Sequence, residues 1–379
     1  MFYVHIIDHR EYNLKGDRGI LYPRINVGYV SLNDAAPFIV AQEKGFFEKY
    51  GLDVNLTPEI GWATIRDKIE YGDLDAAQAL GPIPFAMSLG LGNRHAKESI
   101  VSLVTSVNGN AITLARRLGD NIATCVHNLK KADFSHRTFS MPTLAVVSLH
   151  SSHYFLLRIW LKQKGINPDK DIHFVVLPPS HMPDAMAGGY IDGFCAGDPW
   201  NTMAEHIGTG IIVASSLDIA PGHVEKVLLV SHSFAMRRME THIGLIAALL
   251  DACEYCQSPS ARLELAKILH DKGCINCPIN VIERGLSGFQ VKGNTFNGSM
   301  ADDFLRFDDN RPSSKHADWI LSNLKDAGML KTKSQENATI KANIFAEEFF
   351  EEAEKLRGNS KTHTNKRSTQ HESYETTTI

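Results

Sequence analysis

Three stretches far apart in this chain, holding Trp62, His153 and the pair Glu225-Lys226, could meet a small anion, and each also has a plainer reading. Glu225 and Lys226 stand side by side where a strand, Val227 to Val230, begins. A lysine there either faces a cleft at the strand's end or lies solvated beside Glu225; buried without a counter-ion it would lose its proton easily, so an anion is its natural partner. Trp62 opens a helical stretch, Trp62 to Tyr71, right after Gly61. Its indole N–H, flat ring and the helix's free backbone N–H groups can receive an anion, or the ring simply packs in a core. His153 lies in the first turn of a second helix, His150 to Lys164, with Ser151 or Ser152 as cap. It either donates to an anion or serves as a packing histidine. Cys253-x-x-Cys256 and Cys274-x-x-Cys277 have zinc-ribbon spacing. Against that, the first pair reads as part of a helix starting near His242 and the second as a turn after a helix, Ala261 to Lys272. Buried cysteines of that kind act as small hydrophobes. A Gly-rich phosphate loop, a nucleophile elbow and a His-Glu-x-x-His run are all missing from the sequence. Asp73 and Asp75 read as turn residues. No enzyme and no cofactor are expected.

The elements that must position these residues alternate strand and helix, the pattern of an α/β protein with parallel sheets. Arg24 to Val30 reads as a strand, Pro37 to Lys44 as a helix ended by Gly45, Asp53 to Leu56 as a short strand, and Ile172 to Leu177 as another. One internal echo sets the architecture. Gly72-Asp-Leu-Asp-Ala-Ala-Gln-Ala-Leu-Gly-Pro82 repeats as Gly189-Tyr-Ile-Asp-Gly-Phe-Cys-Ala-Gly-Asp-Pro199, 117 residues later. In each copy a glycine ends a helix, Leu or Ile starts a strand, and proline sits in the loop beyond. Two similar lobes, each presenting a loop at its strand ends, imply a ligand cleft between them. The lobes are expected as 24–115 for the first part of lobe 1, 116–222 for lobe 2, and 223–356 for the return to lobe 1. A final helix is expected at Ala338 to Leu356, and a disordered tail at 357–379, where apolar residues almost vanish.

These residues also carry a family resemblance. Ser31-Leu-Asn-Asp-Ala-Ala-Pro-Phe-Ile-Val-Ala-Gln-Glu-Lys-Gly-Phe-Phe47 resembles the opening of the nitrate/bicarbonate-binding proteins of ABC importers. Trp62-Ala-Thr-Ile-Arg-Asp67, Asn108-Gly-Asn110, Ser152-His153, the run Gly193 to Asn201, and His223-Val-Glu-Lys226 continue it in order. The resemblance implies an α/β fold of the type II periplasmic-binding-protein kind, two lobes closing on an anion. It implies that Lys226 is a ligand-binding lysine, and that Asn110 stands where importer proteins have glutamine, one methylene longer. Trp200 lines the cleft from the second lobe or packs in its core. Glu225 would serve as an extra acceptor if the ligand were bicarbonate.

Nitrate is a flat, weakly hydrated monoanion, so a site for it calls for one fixed positive charge, several neutral donors and an apolar wall. The resemblance makes nitrate or nitrite the expected ligand, with bicarbonate as an alternative. The first residues, Met1 to Arg10, make no secretory signal, and no run approaches the roughly 20 apolar residues of a membrane span. The expectation is a cytoplasmic protein, resembling the nitrate/nitrite sensors that hold an RNA-binding antitermination regulator. The alternative is an importer subunit facing an ABC permease, periplasmic if the start were misassigned. An enzyme like the thiamine-pyrimidine synthases of this fold would need a compact cysteine run, and Cys195 stands alone in its stretch. A net charge of −4 with no Lys/Arg-rich aromatic stretch excludes direct nucleic-acid binding from the expectations.

Overall fold

The computed structural model describes residues 24–92, 94–131, 134, 140–288, 304–330 and 343–372. Eleven strands are named among them: β1 (Arg24–Val30), β2 (Asp53–Glu59), β3 (Ala76–Leu80), β4 (Ser99–Asn108), β5 (Asn110–Ala115), β6 (Thr143–Val146), β7 (His173–Val176), β8 (Gly193–Gly197), β9 (Gly210–Ser215), β10 (Val224–Ser231) and β11 (Leu305–Arg306). They form two sheets, ordered β11-β4-β10-β3-β1-β2 and β7-β6-β8-β5-β9.

The two sheets repeat one plan. β1 pairs in parallel with β2 and β3, and β6 in parallel with β7 and β8. The echoed segments supply β3 and β8, which hold equivalent places in the two sheets. Gly72 (φ 83°) and Gly189 (φ 77°) both take the left-handed conformation that lets a chain leave a helix sharply. The expectation of parallel sheets needs one amendment. In each sheet the strand beside the echo runs the other way: β10 is antiparallel to β3 and β4, and β5 to β8 and β9. These are the strands that enter from the opposite lobe.

The crossing point corrects the expected boundary after residue 115. β5 already belongs to the second sheet, so the chain changes lobe at Asn108-Gly109. Both residues have positive φ, 63° and 84°. Asn tolerates that region and Gly has no Cβ to oppose it; a Cβ on Gly109 would also meet Leu305 Cδ1 at 2.8 Å. Asn108 Oδ1 accepts from the Gly222 amide at 2.8 Å, which ties this crossing to the returning one before β10.

Three other expectations change. Residues 223–356 do not all return to lobe 1. The Ile279–Ser287 and Ser314–Asp326 helices straddle the lobes: Arg284 pairs with Glu205, and Trp319 lies 6.0 Å from the Phe155 ring. The last helix is Glu347–Glu372, so it does not begin at Ala338, and 331–342 lie outside the described residues. That helix also runs through most of the expected tail. Phe349, Phe350 and Ala353 anchor its start in the core, and Arg357 pairs with Asp251 at 2.8 Å. Residues 373–379 lie outside the described ones.

The core is continuous through both sheets and their flanking helices. Strand residues such as Val27, Ala79 and Val227 are fully buried on the first sheet, as are Ile112, Ala145 and Phe194 on the second. Runs buried on both faces are what a sheet covered by helices on each side requires.

Candidate anion-binding site

The carboxyl ends of the strands from both lobes meet, and the chemistry is gathered there. Asp34 sits in the turn just after β1, Trp62 opens the helix after β2, His153 lies in the helix that follows β6, and Gly197 ends β8. Between them lies the start of β10. Lys226 pairs with Leu80 of β3 and Ser106 of β4, and the register against β4 shifts on both sides of it. Consecutive strand residues normally point to opposite faces. Here Val224 and Lys226 face the adjacent residues Val107 and Ser106, leaving Glu225 as the extra residue of a bulge. Its side chain comes to lie against that of Lys226, Oε1 to Nζ at 2.5 Å.

Lys226 Nζ also pairs with Asp34 Oδ2 at 2.6 Å and lies 5.3 Å from the centre of the Trp62 ring. Asp34 is held by Gln78, whose Nε2 donates to Asp34 Oδ1 at 2.8 Å while its Oε1 accepts from the Val30 amide at 3.1 Å. On the other side, Glu225 Oε1 accepts from His153 Nε2 at 2.9 Å, and Oε2 accepts from Asn110 Nδ2 at 2.5 Å. His223 Nδ1 lies 3.0 Å from the Ala220 carbonyl, and its Nε2 lies 3.2 Å from both Asn110 Nδ2 and Glu225 Oε2. Lys226, Glu225, His153 and Asn110 are all fully buried.

The structure therefore brings together five of the six residues singled out in the sequence: Trp62, Asn110, His153, Glu225 and Lys226. Trp200 reaches the lobe junction but spends its indole N–H on the Ser31 carbonyl, at 3.2 Å, so it clamps one lobe to the other. The expected single positive charge among neutral donors is corrected. Two carboxylates flank the lysine, because the bulge turns Glu225 inward and the turn after β1 presents Asp34. Sequence reasoning missed Asp34, Gln78, His223 and Gly197. Asp34, Gly197 and His223 lie inside the stretches that carried the resemblance, the one available signal. Why Gly197 is a glycine shows only in three dimensions: a Cβ there would sit 3.3 Å from Asp34 Oδ2 and 3.5 Å from Asn110 Oδ1.

Electrostatics follow from burial and these pairings. Burial alone would raise the Glu225 carboxyl, but Lys226 and His153 overcome it and hold it well below the ordinary range. Burial raises Asp34, and Lys226 only partly opposes this. Lys226 is disfavoured by burial yet ends above its ordinary value because both carboxylates face it. Burial lowers His153, which stays neutral, donating from Nε2. Several buried polar atoms have no protein partner: Trp62 Nε1, Asn110 Oδ1 and His153 Nδ1. A buried N–H without an acceptor is costly, and a ligand oxygen is what Trp62 Nε1 lacks.

Cys253 and Cys256 lie buried on the Met239–Gln257 helix, Cys253 Sγ facing the Thr105 carbonyl at 3.7 Å, and all six cysteines are free. Among the described residues no His, Cys, Asp or Glu group could hold a metal ion. A helix cannot make the knuckles of a ribbon. Burial pushes the Cys195 thiol far up, which leaves it unreactive.

Residues 22–270 match the model of the NMT1-like family. The nitrate import ATP-binding protein NrtC of Synechocystis is 36% identical over 319 residues, covering 83% of this chain and 48% of that protein. The bicarbonate transport ATP-binding protein CmpC of Synechococcus elongatus is 36% identical over 319 residues, covering 81% and 45%. The chain thus spans about half the length of these relatives. The crystal structure of the periplasmic nitrate-binding protein NrtA from Synechocystis superposes with a TM-score of 0.78 at 25% identity, covering 88% of each chain. With two matched sheets meeting at a buried polar cluster, the chain has the two-lobed periplasmic-binding-protein fold and belongs to the NMT1-like family.

Proposed function

We propose that this chain is a non-catalytic binding module that closes its two lobes over a small planar oxyanion of the nitrate, nitrite or bicarbonate class. The observation that carries this is the convergence of Lys226, Trp62, His153 and Asn110, from four separate stretches and both lobes, at one sealed junction where the Trp62 N–H has no acceptor. The names of the relatives point to the same ligands. An anion touching both lobes favours the closed form, and closure changes the surface offered to a partner.

The finer reading is a sensor rather than a carrier. The resemblance suggests an RNA-binding antitermination regulator as the partner, with the chain acting in the cytoplasm. The kinship with ATP-binding proteins of nitrate and bicarbonate import supports a second reading, an anion-responsive unit of transport machinery. This chain has no phosphate loop of its own, so the shared region is not the nucleotide-binding one. A pull-down from native cells with and without nitrate or bicarbonate separates the two by what is released.

Binding itself is tested by titration calorimetry of the full chain with nitrate, nitrite and bicarbonate. Trp62→Phe keeps the ring and removes the N–H, so it should weaken the preferred anion about tenfold, the worth of one hydrogen bond to a charged group. The reading fails if none of the three anions binds saturably to folded protein, with or without the Glu225 side chain.

A further inference from the structure

The three donors expected to hold the ligand are already engaged by one group of the protein itself. Glu225 Oε1 accepts from Lys226 Nζ at 2.5 Å and His153 Nε2 at 2.9 Å, and Oε2 accepts from Asn110 Nδ2 at 2.5 Å. A carboxylate is a planar anion presenting two equivalent oxygens, the same edge that nitrate or bicarbonate would offer. Its donors come from both lobes: Lys226 from the first sheet, Asn110 from β5 of the second and His153 from the helix after β6. Glu225 reaches this nest because the β10 bulge turns it to the same side as Lys226.

We propose that Glu225 is a built-in ligand: its carboxylate occupies the oxyanion nest, closes the lobes, and must be displaced before a free anion can bind. This rests on the reading of the junction as an oxyanion site and adds its regulation. Tethering decides the balance. A carboxylate one residue from Lys226 competes at an effective concentration in at least the millimolar range, so only an abundant anion, or one aided by a partner that draws Glu225 away, takes its place. Lys226 need not lose its charge during the exchange, because Asp34 Oδ2 stays 2.6 Å from Nζ. The orphaned Trp62 Nε1 and Asn110 Oδ1 also fit this account. Glu225 satisfies Lys226, His153 and the Asn110 amide, but not these two, which an incoming anion with an acceptor and a donor oxygen would engage.

The experiment removes the internal anion. Glu225→Ala leaves a carboxylate-sized space lined by Lys226, His153 and Asn110, and the probes are sodium nitrate, bicarbonate and formate, with chloride as the non-planar control. Calorimetry should show at least a tenfold gain in affinity for the planar anions over the unmodified chain. Small-angle scattering should show the variant opening and then contracting as formate is added, while the unmodified chain stays contracted throughout. If the variant is unstable alone, refolding in formate but not in chloride supports the same conclusion. Equal or weaker binding by the variant overturns the proposal while leaving the oxyanion reading intact. A variant that recovers neither fold nor binding in formate also overturns it. Saturable binding by neither protein removes the oxyanion reading itself.

Discussion

Replacing Lys226 with methionine removes the cation from between Asp34 and Glu225 while roughly keeping its length and volume. Lys226 is fully buried and makes two contacts, at 2.6 and 2.5 Å. A pair at about 4 Å is worth about 4 kcal/mol at an effective dielectric near 20, and two such pairs offset a desolvation cost of several kcal/mol per ion. Removing one partner leaves uncompensated buried charge, so the expected loss is about 3–5 kcal/mol at neutral pH. The pH dependence gives the reasoning a second, sharper handle. Without the lysine, burial of Asp34 is no longer opposed, so its folded-state value rises further above the unfolded one, and the low Glu225 value rises too as it loses its main cation. A raised group destabilises at high pH, where the unfolded chain has already released the proton, and the penalty fades as pH falls through the folded value towards the unfolded one. Asp34, already raised by burial, should take up a proton first. The gap between variant and parent should therefore shrink as pH falls towards the ordinary carboxylate range. Urea denaturation read at constant slope measures the gap. The triple variant Asp34→Asn, Glu225→Gln, Lys226→Met should recover most of it. A loss below about 1 kcal/mol that does not change with pH would refute the sealed three-charge arrangement.

Two further expectations test the junction. Asp198 is buried, its Oδ1 accepting from the Thr202 amide and hydroxyl at 3.0 Å each, while Oδ2 has no partner, and burial pushes its carboxyl up to about 7. A raised acid destabilises between its unfolded and folded values and fully above them, so Asp198→Asn should gain on the parent by up to about 4 kcal/mol from about pH 4 to pH 8; parallel stability curves would defeat this, with Arg284, Glu205 and Cys277 as the neighbouring titratable groups to control. Gly197→Val puts methyl groups where a Cβ already meets Asp34 Oδ2 at 3.3 Å. It should cost about 1–3 kcal/mol and enlarge the radius of gyration by holding the lobes apart, and an unchanged scattering curve would show that the backbone there has slack.

The sequence showed repeated units better than it showed boundaries. The echo at Gly72 and Gly189 revealed two equivalent lobes because a turn glycine, a strand start and a loop proline are local demands, each written in one or two residues. The crossing at Asn108-Gly109 was missed because β5 reads the same in either sheet: Asn110 to Ala115 is a buried run, and which sheet it joins depends on partners far along the chain, such as Gly197 opposite Asn110. The final helix was cut short for the opposite reason. Apolar content was used to judge order, and a helix anchored at Phe349 and Phe350 extends to Glu372 all the same. Trp62 and His153 could be placed from their helix starts. The polar partners that decide their roles could not.

Glu225 shows why. In sequence, Glu225 and Lys226 are neighbours, and neighbours on a strand diverge; that logic makes one a cleft residue and the other a bystander. Only the register shift in β10 reverses it, and nothing in the residues from Val224 to Val227 announces a bulge, since its cause lies in how Ser106 and Val107 of β4 meet them. The same shift that hides the arrangement from the sequence also creates its function. A regular strand would aim Lys226 alone at the junction, with Asp34 as its counter-ion, and leave the place of the Glu225 carboxylate open to any small anion. The bulge adds a tethered carboxylate, so occupancy becomes a competition between an internal and an external anion. What the site recognises is then set less by its charge than by whether a ligand can outbid a side chain one residue away, and that depends on the Trp62 and Asn110 atoms Glu225 does not reach.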